Sequence, residues 1–136
     1  MKSRFMKKIS IVFIFSFVLS GVLFAQKLNQ GEVKFNKTVH DYGPIKEEME
    51  VAISEFELTN TGKSPVIIQR ITASCGCTSP TYTREPILPG KKGNIKVAYN
   101  TIHRPGTFRK SVRVYTNVPD TVYTLTIKGN VIPKKR

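Results

Sequence analysis

After residue 33 the sequence alternates apolar and polar residues with a period of two, broken by turn formers at roughly 8–12-residue intervals, the signature of short strands. Tyr123, Leu125, Ile127 and Gly129 alternate with Thr124, Thr126 and Lys128, and the run before them sets Phe108, Lys110, Val112 and Val114 against Arg109, Ser111, Arg113 and Tyr115. Asn117-Val118-Pro119-Asp120 separates the two, so they are expected to form a hairpin. Ile95, Val97 and Tyr99 repeat the pattern, with His103-Arg104-Pro105-Gly106 turning the chain after them. Pro89-Gly90-Lys91-Lys92-Gly93 is a breaker-rich loop. Pro65 to Ile71 is a Val- and Ile-rich strand entered through Asn60-Thr61-Gly62-Lys63-Ser64, and Val33 to His40 is a less regular one. The predicted inward set is Phe56, Leu58, Ile68, Ile95, Val97, Val112, Val114, Leu125 and Ile127.

One segment fits two periods. Ile45, Met49, Ala52, Ile53 and Phe56 fall on a helical stripe, whereas Ala52, Ser54, Phe56 and Leu58 share one face of a strand. The order of strands around it favours the second.

The first 25 residues have a different character. Lys2, Arg4, Lys7 and Lys8 precede an apolar and small-residue run from Ile9 to Phe24, ending at Ala25. This is the layout of a secretory signal, with cleavage expected after Ala25 despite Leu23 at a position that favours a small residue. The run is about as long as a short membrane span, but polar sequence without a basic stop-transfer cluster follows it, so no stable span is expected after cleavage. The sequence thus divides into a signal peptide, residues 1–25, and one domain, residues 26–136, with its core at about 33–131. A periplasmic or secreted location follows as the expectation.

Of the 22 basic residues, four leave with the signal; the remaining 18 face nine acidic ones, a net charge of +9. They are spread through Lys27, Lys34, Lys63, Arg84, Lys91, Lys92, Arg109, Lys110 and Arg113 rather than gathered on a recognition helix. Nucleic acid is therefore not the expected partner, and any contact with an anionic surface should be weak and screened by salt.

Chemistry has one candidate centre, Ser74-Cys75-Gly76-Cys77-Thr78, which holds both cysteines of the chain. Two exported thiols this close tend to pair. Residues two apart on a regular strand have Cα atoms about 6.6–6.8 Å apart, the outer limit for a bridge, so pairing would need a tight turn, which Gly76 permits. A bridge over so short a loop removes little entropy from the unfolded chain, and stability is a poor reason for it. The other readings are thiol redox exchange, soft-metal binding by the two thiolates, and simple packing of small apolar groups. His40, His103 and Met49 stand at no ligand spacing from the pair, so no metal site is assigned. His40 and Asp41 are adjacent and would face opposite sides of a strand, and no phosphate loop, His-Glu-x-x-His helix or Gly-x-Ser-x-Gly elbow is present. A Cys75 or Cys77 nucleophile with His103 rests on two bare residue types. Nothing calls for a cofactor or an enzyme.

Several runs occur together in a recognisable order: Val39-His40-Asp41-Tyr42-Gly43, Phe56-Glu57-Leu58-Thr59-Asn60-Thr61-Gly62, Ser74-Cys75-Gly76-Cys77-Thr78, Glu85-Pro86-Ile87-Leu88-Pro89-Gly90 and Gly106-Thr107-Phe108-Arg109-Lys110-Ser111. Together they resemble the bacterial domain of unknown function 1573 family over about Val33 to Val131. That family is similar to the immunoglobulin-like domains that include major sperm protein and the ASH and hydin modules. The resemblance implies an all-β, immunoglobulin-like β-sandwich of about seven strands, and makes Val51 to Asn60 a strand. It supplies no activity. Asn60, Gly62, Pro89 and Gly90 are the turn positions it shares, and Ser74, Gly76 and Thr78 flank the thiols. The expected function is an exported, non-enzymatic interaction module whose partner is a protein, held by strand-edge pairing. The alternative is a thiol-redox or metal-handling protein acting through Cys75 and Cys77.

Overall fold

The computed structural model describes residues 32–135, so the expected signal segment lies outside the described residues. Eight strands follow one another: β1 (Val33–Phe35), β2 (Val39–Lys46), β3 (Val51–Asn60), β4 (Ile68–Ala73), β5 (Thr78–Tyr82), β6 (Lys92–Asn100), β7 (Gly106–Thr116) and β8 (Val122–Ile132). They form two four-stranded sheets, ordered β1-β3-β6-β5 and β2-β8-β7-β4. All pairings are antiparallel except β2 with β8. The all-β immunoglobulin-like sandwich read from the sequence is the fold observed.

The core lies where the inner faces meet. From one sheet Phe56, Leu58, Ile95 and Val97 point inward, from the other Val112, Val114, Leu125 and Ile127, and all eight are essentially inaccessible to water. Ile68 joins them. Across the β3–β6 ladder small residues oppose large ones, Ala52 against Tyr99 and Ser54 against Val97, which lets the layers interdigitate. Tyr99 stacks on Phe108 with ring centroids 3.9 Å apart, and Tyr42 leans on Phe108 from β2.

Three sequence expectations change. The strand expected over Val33 to His40 is split, because the chain crosses from one sheet to the other at residues 36–38. Asn36 fixes the crossing: its carboxamide oxygen accepts the N–H groups of Lys37 and Glu57, and its own N–H donates to the Glu57 carbonyl. The strand expected from Pro65 begins only at Ile68, since Val66 turns aside to exchange two backbone hydrogen bonds with Ile87. β5 has no counterpart in the sequence reading, where Pro80 interrupts its pattern, so the described residues hold eight strands where about seven are expected. In the ambiguous segment the helical tendency survives as one 3₁₀ turn, Glu47–Met49, before β3. After β8 the chain is tied down at Lys134, whose N–H donates to the Glu47 carboxylate at 3.1 Å.

Candidate functional site

The turn that carries Cys75 and Cys77 joins β4 to β5, and so connects the two sheets at one side of the sandwich. The two cysteines form a disulfide with Cα atoms 5.3 Å apart. The contraction from strand spacing comes from a turn closed by the Thr78 N–H donating to the Cys75 carbonyl at 3.3 Å. Each flank is held independently. Ser74 donates its N–H to the Ser111 carbonyl, and its hydroxyl oxygen accepts the Ser111 N–H at 3.1 Å. Beyond the bridge the Cys77 carbonyl accepts the Asn100 N–H at 2.9 Å. Thr78 is buried, and its Oγ1 lies 3.6 Å from Cys75 Sγ and 3.8 Å from Cys77 Sγ.

Gly76 has a different role from the one expected. Its φ lies outside the left-handed region and a Cβ there would meet nothing within 4 Å, so the turn does not require glycine on steric grounds. Cys77 is buried at 7 % exposure and Cys75 is partly exposed, with Gly76 fully open between them.

The other singled-out positions form a separate cluster. Asn60 is wholly buried, and its Nδ2 donates to the carbonyls of Ser64 and Ile87, both at 2.8 Å. Its Oδ1 accepts the Gly62 N–H at 3.0 Å and its backbone carbonyl accepts the Gly90 N–H at 2.8 Å. Asn60, Gly62 and Gly90 thus meet, with Pro89 exposed beside them, as a bolt between two loops and not as a ligand site.

His103 pairs with the Glu47 carboxylate, through its N–H at 2.7 Å and its ring at 3.9 Å, and hydrogen-bonds neither sulfur. His40 and Asp41 also part company: His40 Nδ1 meets the Lys37 ammonium at 3.0 Å, and Asp41 accepts the Gly43 N–H and pairs with Lys128. Burial, reinforced by Lys37, lowers the His40 pKa, while the Gly43 N–H and then Lys128 lower that of Asp41. Among the described residues no group of three or more His, Cys, Asp or Glu is placed to hold a metal.

The sheet edges differ in a way that the sequence reading did not extract. β5 turns its odd residues toward β6, as the bonds at Cys77 and Thr83 show, so Pro80 presents its missing donor to the free edge. β2 is interrupted by a register shift between Asp41 and Pro44, and β4 by one between Ile68 and Arg70, where the Gln69 carbonyl takes the Tyr82 hydroxyl. β1 covers only Leu58 to Asn60 of β3. Its bonds reach β3 at odd residues, Glu57 and Thr61, so the peptide groups of Val51, Ile53 and Glu55 project from the same edge. Among the described residues no strand pairs with them there. Val51 and Ile53 are 46 % and 59 % exposed, beside a Glu55–Lys96 ion pair. The signal was present in the sequence: if Ala52, Ser54 and Phe56 face inward, Val51 and Ile53 must face out.

The sequence model described as "Protein of unknown function (DUF1573)" matches residues 33–131. The chain belongs to the DUF1573 family. No curated protein matches it. Among solved structures it is similar to a Porphyromonas gingivalis protein of unknown function, at 15% identity and a TM-score of 0.65, covering 81% of this chain and 51% of the other. The chain thus spans about half the length of that relative. It is also similar to ASH/PapD-like domain 7 of human CEP192, at 9% identity and a TM-score of 0.63, covering 78% of this chain and 89% of that one. The YadV chaperone shares the fold at 16% identity and a TM-score of 0.50, over 76% and 52% of the two chains. At such identities the likeness is one of fold, and this DUF1573 domain joins them as an immunoglobulin-like sandwich.

Proposed function

We propose that this DUF1573 domain is an exported, non-enzymatic module that binds another protein by accepting an extended segment of it along the free edge of β3. The observation that carries the reading is the contrast between edges. Pro80 or a register shift blunts three of them, whereas β3 offers the peptide groups of Val51, Ile53 and Glu55 in regular register with two exposed apolar side chains. Backbone pairing would supply affinity, and apolar residues at alternate positions of the partner would sit against Val51 and Ile53. Charge contributes little to selection, because Glu55 and Glu57 are already paired with Lys96 and Lys92. The fold shared with an ASH/PapD-like domain and a chaperone supports a role through protein contacts. Export rests on the basic, apolar and Ala25 sequence of the first 25 residues.

A photo-crosslinking residue in place of Val51, with a control in place of Thr81 beside the Pro80-blocked edge, tests this in cells exporting the protein. Adducts are expected from position 51 and not from 81. Adding Ile53→Pro, which removes an outward N–H and leaves the β6 ladder its donors, should abolish them while the domain still melts cooperatively. No adduct from position 51, equal yields from 81, or adducts that survive Ile53→Pro would overturn the proposal.

A further inference from the structure

We propose that the Cys75–Cys77 bridge is a thiol-exchange site that accepts two electrons from a dithiol. The bridge leads into β5, on the far side of its sheet from the free edge of β3. A structural bridge stabilises more the longer the loop it closes, and this one closes only three residues. Nor is it needed to hold the turn. Ser74 and Ser111 clamp one flank, Asn100 holds the Cys77 carbonyl on the other, and the Thr78 N–H closes the turn onto the Cys75 carbonyl. All these bonds remain when the sulfur–sulfur bond opens, so the two thiols stay close enough to close again.

The two sulfurs are unequal. Cys75 is partly exposed next to open space at Gly76, while Cys77 is buried. An incoming thiolate therefore attacks Cys75 Sγ. The sulfur–sulfur bond breaks, its electron pair leaves on Cys77 Sγ, and a mixed disulfide joins Cys75 to the substrate. Thr78 Oγ1 lies within sulfur hydrogen-bond range of both sulfurs, so its hydroxyl can turn to donate to the thiolate that leaves on Cys77, which lowers the energy of that leaving group. The substrate's second thiolate then attacks its own sulfur in the mixed disulfide and releases Cys75 as thiolate. The sum is substrate dithiol plus bridged protein giving substrate disulfide plus reduced protein, with two protons taken up by the two cysteines. Small dithiols and dithiols in protein segments share this chemistry.

The test uses the mature chain, residues 26–136, equilibrated with glutathione buffers and trapped by alkylation before mass analysis. Wild-type protein is expected to be part reduced across the range of ordinary glutathione buffers, with its native fold intact by near-ultraviolet dichroism. Cys77→Ser should form a mixed disulfide with glutathione at Cys75 faster than Cys75→Ser does at Cys77. Thr78→Val, which keeps the branched shape, should slow reduction by dithiothreitol about tenfold and raise the pH at which Cys77 becomes reactive to alkylation. Faster reaction of a reduced two-cysteine peptide than of dithiothreitol would identify protein dithiols as the substrate, and the reverse would identify small ones. A bridge that stays closed in every glutathione buffer, unfolding on reduction, or equal reactivity of the two single-cysteine variants would overturn the proposal.

Discussion

Replacing Asn60 tests how the sandwich holds its loops. Its side chain makes three hydrogen bonds in a fully buried position, donating to Ser64 and Ile87 and accepting from Gly62. Asn60→Ala removes all three. The Ile87 carbonyl keeps the Val66 N–H as a partner, and Ser64 and Gly62 are only half-buried, so each lost bond counts at its net value of about 0.5–1.5 kcal/mol. The sum is about 3 kcal/mol. Asn60→Asp is the sharper probe, because a carboxylate still accepts from Gly62 but faces two carbonyl oxygens where the amide donated. Its folded-state pKa should lie above its unfolded value. The variant's stability should then be highest below the unfolded pKa, where a protonated carboxyl can donate, and fall as pH rises through the folded pKa. Urea unfolding at several pH values measures both effects. If Asn60→Ala costs under about 1 kcal/mol, or Asn60→Asp does not lose stability with rising pH, the account of this bolt is wrong.

Cys75→Ser combined with Cys77→Ser should cost about 1.6 kcal/mol, the loop-entropy value for three residues, and a loss above about 3 kcal/mol in urea unfolding would contradict the short-loop argument. Phe56→Ala should cost about 3–5 kcal/mol by the same assay, because Phe56 lies wholly inside the core. Because the folded His40 pKa is lowered, first by burial and then by Lys37, the neutral ring's contribution is present above the unfolded value of 6.5 and is lost as pH falls below it. The wild-type protein should therefore lose stability through that window more steeply than His40→Gln. Mass analysis of the exported protein should give Gln26 as its first residue; retention of Met1 in a membrane fraction would refute the signal reading.

Period-two alternation was enough to place the inner faces of β3, β6, β7 and β8, because a strand buried on one side writes that side into every second residue. Its failures share a cause. Val33 to His40 reads as one strand because its residues do not show where a chain changes sheets; that depends on Asn36 meeting Glu57, a contact 21 residues away. β5 was missed because Pro80 looks like a breaker until the strand is known to lie at an edge with that position facing out. The cysteine bridge was legible as a possibility, since proximity in sequence limits what the thiols can do. Thr78 beneath both sulfurs and the unequal burial of the two cysteines were not, because both depend on how β5 docks against β6. Gly76 misled for a related reason: glycine allows a left-handed turn, and the chain did not use it.

The parallel pairing of β2 with β8 joins Val39 to Thr126 and Ile45 to Val131, near opposite ends of the domain. β1 can pair with β3 early, but β2 cannot be seated until the last strand has arrived, so the fold closes late and by contacts distant in sequence. Such a topology folds slowly compared with one built from local contacts. Under the export proposed above, that delay would keep an extended chain threadable until its final residues have followed the first.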